Sequence, residues 1–251
     1  MCRVTDLRQA VLAKNDGLAG QLREKLAADR VTMVNMLSSP GSGKTALLER
    51  VLTRTVSLGM PVAALTADLA TENDARRLAG AGAPVKQVLT DGLCHLEAGQ
   101  LRGHLEGWLP QDTRVLFVEN IGNLVCPASY DLGETLRVTL MSVTEGEDKP
   151  LKYPTAFGLA HLVVLTKDDL AGPAGFARSA FLDNVARVNP GVPVLRTSAR
   201  TGQGVGTFVE HVLAVRDGAP VHRPPLAGRH LRDHAHDHDI PAAAPPATPA
   251  P

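Results

Sequence analysis

Cysteine is scarce in this chain, which has only Cys2, Cys94 and Cys126 among its 251 residues. So odd and sparse a set does not make the disulfide framework of a small secreted domain. Apolar runs of roughly 18 residues, the length of a membrane span, are also missing, and the charged N-terminal stretch lacks a signal-peptide core. We therefore expect a reduced, cytoplasmic protein without a membrane partner, whose thiols are free for ligation or reactivity.

An excess of charge of either sign is missing too. Lys plus Arg and Asp plus Glu both number 26, so no global field favours nucleic acid or a membrane surface as a partner. Hydrophobic residues make up 44% and charged residues 21% of the chain, as in ordinary globular proteins. The length suits one large α/β domain or two small ones.

Short apolar runs alternate with segments of helical periodicity along most of the chain. Buried strands are predicted within residues 30–39, 61–68 and 161–170, among others, with helices between them. This alternation predicts an α/β fold with a mainly parallel, doubly wound sheet covered by helices on both faces. The predicted units are an N-terminal helical segment (1–30), a nucleotide-binding domain (31–216) and a tail (217–251).

The predicted tail is rich in proline and alanine. Residues 219–251 hold 8 of the 18 prolines. Such a composition buries too little apolar surface to fold, so we expect disorder there.

The sequence SSPGSGKT, residues 38–45, follows a predicted strand and opens a predicted helix, which is the context of a P-loop. Its glycines let backbone N–H groups surround phosphate oxygens, its lysine supplies charge to the β- and γ-phosphates, and its threonine offers a hydroxyl to Mg²⁺. Ser38 replaces the usual leading glycine, and a glycine-rich turn before a helix is the alternative. The predicted phosphate-binding residues are Gly41, Ser42, Gly43, Lys44 and Thr45.

Two later segments indicate guanine. Residues 166–169, TKDD, resemble the Asn-Lys-x-Asp motif of GTPases, and residues 197–204, TSARTGQG, resemble the Ser-Ala loop behind the base. The second aspartate would accept hydrogen bonds from the guanine N1–H and amino group, which adenine cannot supply. Threonine stands where the motif has asparagine, and each segment alone could be a strand-end turn. The predicted base-site residues are Thr166, Lys167, Asp169, Ser198 and Ala199.

Two carboxylates lie at the ends of predicted strands, Asp68 in LTADLAT and Glu119 in LFVENIGNL. Near a P-loop such groups bind Mg²⁺ directly or through water, or orient the attacking water. We assign Lys44, Asp68 and Glu119 to catalysis and Thr45, Asp68 and Glu119 to Mg²⁺. Surface acids at the rim of the sheet are the alternative. No arginine finger is evident, so slow intrinsic hydrolysis is expected.

Cys94 and His95 are adjacent at about the start of a predicted helix, residues 94–109, and Cys126 lies shortly after Glu119. Thiolate and imidazole are ligands that Zn²⁺ and Ni²⁺ favour. One subunit offers three ligands, and two subunits related by a two-fold axis could close a shared site. A small buried cysteine and a chance pair at a helix start are the alternatives.

Six segments occur in the order seen in the HypB family of GTPases, which assist nickel insertion into [NiFe]-hydrogenase. They are SSPGSGKT, DLATENDARRL, CHLEA, VENIGNLVCP, EGEDKPLKYP and TKDDL, and the resemblance covers residues 31–216. It implies a P-loop GTPase of the SIMIBI class that dimerises on binding GTP and carries nickel or zinc at Cys94, His95 and Cys126. It also implies a HypA-type nickel chaperone and a hydrogenase large-subunit precursor as partners.

The chain departs from this family at both ends. Some members carry an N-terminal Cys-rich nickel motif, whereas Cys2 stands alone here. Some carry a His-rich segment near the N-terminus, whereas here it lies in the tail. Imidazoles two and four residues apart can converge on one ion, and incidental histidines in a solvated tail are the alternative. The histidines considered for nickel buffering are His230, His234, His236 and His238.

Three other functions remain open at the level of sequence. A nucleotide-switched storage protein would hold nickel or zinc without delivering it. A urease-type maturation GTPase would share the P-loop, but its typical Cys-Pro-His motif is absent. A small-molecule kinase would transfer phosphate to an acceptor and need neither cysteine nor histidine.

Overall fold

Seven parallel strands form a single sheet in the part of the chain that the computed structural model describes, residues 2–68, 73–89 and 92–227. The side chains of residues 2–8, 68, 73 and 74 are outside that description. In chain order the strands are β1 (Thr32–Ser38), β2 (Val62–Asp68), β3 (Val85–Leu89), β4 (Val115–Gly122), β5 (Leu136–Ser142), β6 (Leu162–Thr166) and β7 (Val194–Arg196).

The spatial order of the strands is β3-β2-β4-β1-β5-β6-β7. Every residue of β1 is buried, since β4 and β5 flank it and helices cover both faces. The helices are α1 (Cys2–Ala28), α2 (Lys44–Ser57), α3 (Asn73–Ala79), α4 (Ala98–Leu105), α5 (Lys149–Lys152), α6 (Pro154–Gly158), α7 (Arg178–Val188) and α8 (Val205–Arg216). The predicted α/β fold with an N-terminal helix and a parallel, doubly wound sheet is confirmed.

Apolar side chains pack on both faces of the sheet. Helices α2, α3 and α8 cover one face, where Leu48 and Phe208 are fully buried. On the other face, α1 and α4 cover β2 and β4, while α6 and α7 cover β5 and β6. Because all strands run the same way, their carboxyl ends and the loops that follow them meet at one edge. None of the helices in the described ranges has the length and apolarity that a membrane span requires.

Helix α4 begins later than the sequence pattern predicts. The prediction places its start at the Cys94-His95 pair, whereas the helix starts at Ala98. Glu97 and Gln100 form a capping box, and the backbone N–H of Ala98 donates to Asn15 Oδ1 of α1 at 2.9 Å. The cysteine and histidine therefore lie in the loop before the helix.

The described chain continues past α8 and packs against the domain. His222 Nε2 lies 2.8 Å from Asn189 Oδ1, and Leu226 packs directly against Gly158. His222 and Leu226 of the predicted tail thus contact the sheet domain, and residues 228–251 lie outside the described residues.

Histidine 161 gives the fold a testable pH dependence. Burial lowers the pKa of His161 to about 4, and Nδ1 accepts a hydrogen bond from the backbone N–H of Arg137 at 2.9 Å. The unfolded state therefore takes up a proton more readily, so stability present above pH ~6.5 is lost as the pH falls toward 4, by up to about 3 kcal/mol.

We expect denaturant titrations of His161→Gln to show a shallower loss of unfolding free energy between pH 6.5 and pH 4 than the unaltered chain. Glutamine keeps an acceptor near the Arg137 N–H but does not titrate. Equal pH slopes for the two proteins would contradict the assignment of this effect to His161.

Candidate functional site

The P-loop joins the carboxyl end of β1 to the first turn of α2, as the strand–loop–helix pattern predicts. Gly41 and Gly43 have φ values of +72° and +86°, a region that residues with a Cβ atom rarely enter. Glycines in this conformation allow the backbone N–H groups of a loop to surround an anion, and the positive end of the α2 dipole lies beside them. The loop has the geometry of an anion site.

The predicted phosphate and magnesium side chains converge on Glu119, which is 3% exposed and lies three residues before the end of β4. Thr45 Oγ1 donates to Glu119 Oε1 at 2.6 Å, and Thr66 Oγ1 donates to Oε2 at 3.2 Å. Lys44 Nζ lies 3.7 Å from Glu119 Oε1 and 3.3 Å from Ser38 Oγ. Hydroxyl and carboxylate oxygens are the donors that Mg²⁺ prefers, so this set fits the ion.

Asp68 ends β2, the strand next to β4, where Thr66 is in register with Glu119. Its backbone therefore lies at the same edge of the sheet as Glu119, but its side chain is outside the described residues. The four histidines considered for nickel buffering are outside them as well.

The two segments predicted to read guanine meet at Asp169. Ser198 Oγ donates to its Oδ1 at 2.5 Å, and Arg200 Nε donates to its Oδ2 at 2.9 Å. The hydrogen bond from Ser198, with the nearby Arg200 charge, holds the pKa of the Asp169 carboxyl below its usual range. The carboxylate is therefore ionised and accepts hydrogen bonds only. Ala199 adds a carbonyl that accepts from Arg50 Nε at 3.0 Å.

The other two base-site residues contact the P-loop. The buried Thr166 hydroxyl donates to the carbonyl of Ser42 at 2.5 Å. Lys167, at φ +54°, places Nζ 2.7 Å from the carbonyl of Gly41. Both side chains thereby connect the end of β6 to the phosphate loop. Thr166 is predicted to contact the base, and in the structure its hydroxyl instead bonds to this loop.

Cys94 and Cys126 are brought into contact by the loops that follow β3 and β4. A hydrogen bond with the Cys126 thiol raises the pKa of the Cys94 thiol, and burial adds to the shift. Cys94 Sγ lies 3.6 Å from His95 Nδ1. Within the described ranges, however, no group of three or more His, Cys, Asp or Glu residues is arranged to hold a metal ion. One chain by itself thus brings the predicted ligands together without closing a site.

The Nε2 atom of the His95 imidazole is buried and makes no hydrogen bond within the described residues. Its ring stacks on Tyr130, with centroids 3.9 Å apart, and its Nε2 lies 3.6 Å from Glu97 Oε1. A buried imidazole nitrogen of this kind beside two thiols suits a metal ligand.

Glu145 contacts the P-loop and is not among the predicted site residues. Its Oε1 accepts from Ser42 Oγ at 2.7 Å and from the backbone N–H of Ser142 at 2.9 Å. Its Oε2 pairs with Lys149 Nζ at 2.9 Å. The segment EGEDKPLKYP is thus joined to the phosphate loop. The sequence shows only its charge pattern, since Ser42 is 103 residues away.

Residues 32–196 match the protein family described as CobW/HypB/UreG, nucleotide-binding domain. The hydrogenase maturation factor HypB of Azotobacter chroococcum mcd 1 is 43% identical over 210 residues, covering 82% of this chain and 68% of that protein.

Two solved structures have the same fold. HypB from Helicobacter pylori, crystallised in complex with nickel, has a TM-score of 0.76 and 35% identity, covering 81% of this chain and 95% of that one. HypB from Archaeoglobus fulgidus has a TM-score of 0.76 and 32% identity, covering 82% and 100%. With this fold, this P-loop and these relatives, the chain belongs to the HypB family of hydrogenase maturation factors.

Proposed function

We propose that this chain is a GTP-hydrolysing metallochaperone that couples nucleotide-dependent dimerisation to nickel delivery during [NiFe]-hydrogenase maturation. The observation that carries the proposal is the position of Cys126, seven residues after Glu119 and on the same loop as Asn123, whose Nδ2 donates to the carbonyl of Cys94 at 3.5 Å. A change at the nucleotide site that moves the end of β4 also moves a metal ligand.

Guanine selection rests on Asp169. Its ionised carboxylate would accept from N1–H and the amino group of guanine, whereas adenine would leave it facing an acceptor. Before the base arrives, Ser198 and Arg200 satisfy the carboxylate. Arg200 is 74% exposed, so its displacement by the base costs little.

For hydrolysis, Lys44 would bind the β- and γ-phosphates, and Glu119 would orient the attacking water through its carboxylate. When bound, Mg²⁺ would neutralise negative charge on the phosphates. Thr45 would hold a hydroxyl toward the ion, and the buried Thr66 would fix the second oxygen of Glu119. We expect slow intrinsic turnover.

The metal would be shared by two copies of the chain. Leu93 and Val125 flank the ligands and are 41% and 64% exposed. Exposed apolar residues beside an incomplete ligand set suit a contact with a second subunit, which would bring its own Cys94, His95 and Cys126. A HypA-type nickel chaperone and the precursor of a hydrogenase large subunit are the proposed partners in transfer.

Nickel titration in two nucleotide states tests the coupling. We expect the Kd for Ni²⁺ of the GDP-bound chain to differ by about 5–150-fold from that with a non-hydrolysable GTP analogue. Cys126→Ala should weaken binding and remove the difference, while Cys2→Ala, the matched control, should retain it. Equal Kd values in the two states would refute the coupling.

A further inference from the structure

A buried ion pair lies beneath the segment that carries Cys126. Arg137 on β5 donates from Nε to Glu134 Oε1 at 2.6 Å. Their side chains are only 9% and 3% exposed. Burial alone would raise the pKa of Glu134, but the Arg137 charge and hydrogen bonds to the carboxylate lower it to about 2. The pair is therefore charged throughout the neutral range.

The two remaining donor groups of this guanidinium hold the metal segment. Nη1 donates to the carbonyl of Ala128 and Nη2 to the carbonyl of Tyr130, both at 2.9 Å. Ala128 lies in the 3₁₀ turn Pro127–Ser129 directly after Cys126. Tyr130 supports the ring of His95. One planar cation thus fixes the backbone beside the thiol and the stacking partner of the imidazole.

The carboxylate of the pair is linked by hydrogen bonds to β1, the strand that leads into the P-loop, and to β4, the strand that carries Glu119. Glu134 Oε1 also accepts from Asn35 Nδ2 of β1 at 3.3 Å. Asn35 Oδ1 in turn accepts from Asn120 Nδ2 at 3.4 Å. Asn120 follows Glu119 on β4 and is 1% exposed. A continuous chain of buried hydrogen bonds therefore runs from the residue beside Glu119 to the carbonyls beside Cys126.

We propose that Arg137 and Glu134 are positioning residues that hold the Cys126–Tyr130 segment in its metal-binding arrangement. Through Asn35 and Asn120, the pair also links this segment to β4, the strand that carries Glu119. The inference rests on the proposed function. Replacing either charge with an apolar group would leave the other buried and unpaired, whereas the three bonds of Arg137 can be reduced while its charge is kept. Outer residues of this kind tune metal affinity without touching the metal.

Arg137→Lys is the primary test, because lysine keeps the charge facing Glu134 but its single ammonium group cannot span the carboxylate and both carbonyls. We expect the Kd for Ni²⁺ to rise by about 10–100-fold, with a shifted thiolate-to-nickel charge-transfer absorption. GTP affinity should stay within about twofold. Arg216→Lys, which alters an arginine bonded to Asp217 and Met60, is the matched control and should behave as the unaltered chain.

Asn35→Ala tests the link to β1 and β4 separately from the contacts of Arg137, because it removes the hydrogen bond to Glu134 and leaves the Arg137 contacts in place. We expect nickel still to bind but the Kd ratio between GDP and GTP-analogue states to fall to within about twofold of unity. An unchanged ratio in this variant would overturn the proposed link to β1 and β4, also if Arg137→Lys fails to fold by circular dichroism. A folded Arg137→Lys with unaltered nickel Kd and spectrum would overturn the positioning role.

Failure of the proposed function gives a different pattern. If the unaltered chain binds no nickel, or binds it equally in both nucleotide states, that titration rejects the proposed metallochaperone function itself. If the unaltered chain shows the coupling and the variants match it, only the roles of Arg137, Glu134 and Asn35 are rejected.

Discussion

Replacing Lys44 with alanine is expected to lower the rate of GTP hydrolysis by about 10²–10³-fold, the scale seen when one preorganised charge or donor is removed from an active site. The side chain is 8% exposed and held by Ser38 Oγ and Glu119, so its ammonium group is already in place before nucleotide binds. Alanine leaves Glu119 bonded to Thr45 and Thr66, and the loss should therefore fall on phosphate binding and hydrolysis.

The matched control for this variant is Lys152→Ala. Lys152 is 61% exposed and pairs with Asp148 one turn away, so its removal should leave hydrolysis within about twofold. Phosphate release under single-turnover conditions measures both rates. A Lys44→Ala rate within threefold of the unaltered chain, or an equal loss in the control, would reject the assignment.

The same variant separates delivery from storage. A storage protein would keep its function when Lys44→Ala abolishes turnover, because only metal binding matters to it. A delivery protein would still bind nickel through Cys94 and Cys126 but would fail to restore hydrogenase activity in a maturation assay.

Asp169→Asn is expected to weaken GTP binding by about 10²–10⁴-fold, since two hydrogen bonds to a charged acceptor are each worth about 1.5–3 kcal/mol. The amide would still accept from N1–H, but its NH₂ group would face the amino group of guanine. Xanthine carries an oxygen at that position, so xanthosine triphosphate should bind this variant more tightly than GTP does.

Asp183→Asn is the control for this change of charge, because Asp183 is exposed on α7 and is not among the predicted base-site residues. Equilibrium titration with GTP, xanthosine triphosphate and ATP gives the three Kd values for each protein. A variant that keeps the order of the unaltered chain would show that Asp169 does not read the base.

Local sequence was sufficient for the fold and for the phosphate loop. The apolar runs of β1 and β4 predict buried strands because parallel strands covered on both faces need continuous apolar residues. The spacing of Gly41, Gly43 and Lys44 predicts an anion site, since a tight turn, a strand and a helix start are all local features. The predicted meeting of the TKDD and TSARTGQG segments follows from the topology of consecutive strands.

The local sequence pattern did not predict where α4 begins. Cys94 and His95 precede a helical periodicity, but Asn15, 83 residues before Ala98, supplies the acceptor for the N–H of Ala98. The cap therefore depends on how α1 docks against α4. A helix boundary of this kind is decided by tertiary contact rather than by propensity.

By itself, the sequence determined the parallel α/β fold, the P-loop and the identity of the metal-ligand candidates, because each depends on residue type and on spacing over a few positions. Only the tertiary structure decided that Thr166 supports the P-loop, that Tyr130 stacks on His95, and that Arg137 holds the segment after Cys126. The first two contacts join residues distant in the chain. Arg137 lies only nine and seven residues from Ala128 and Tyr130, but a buried charge of this kind has no sequence signature apart from the partners that make its burial tolerable.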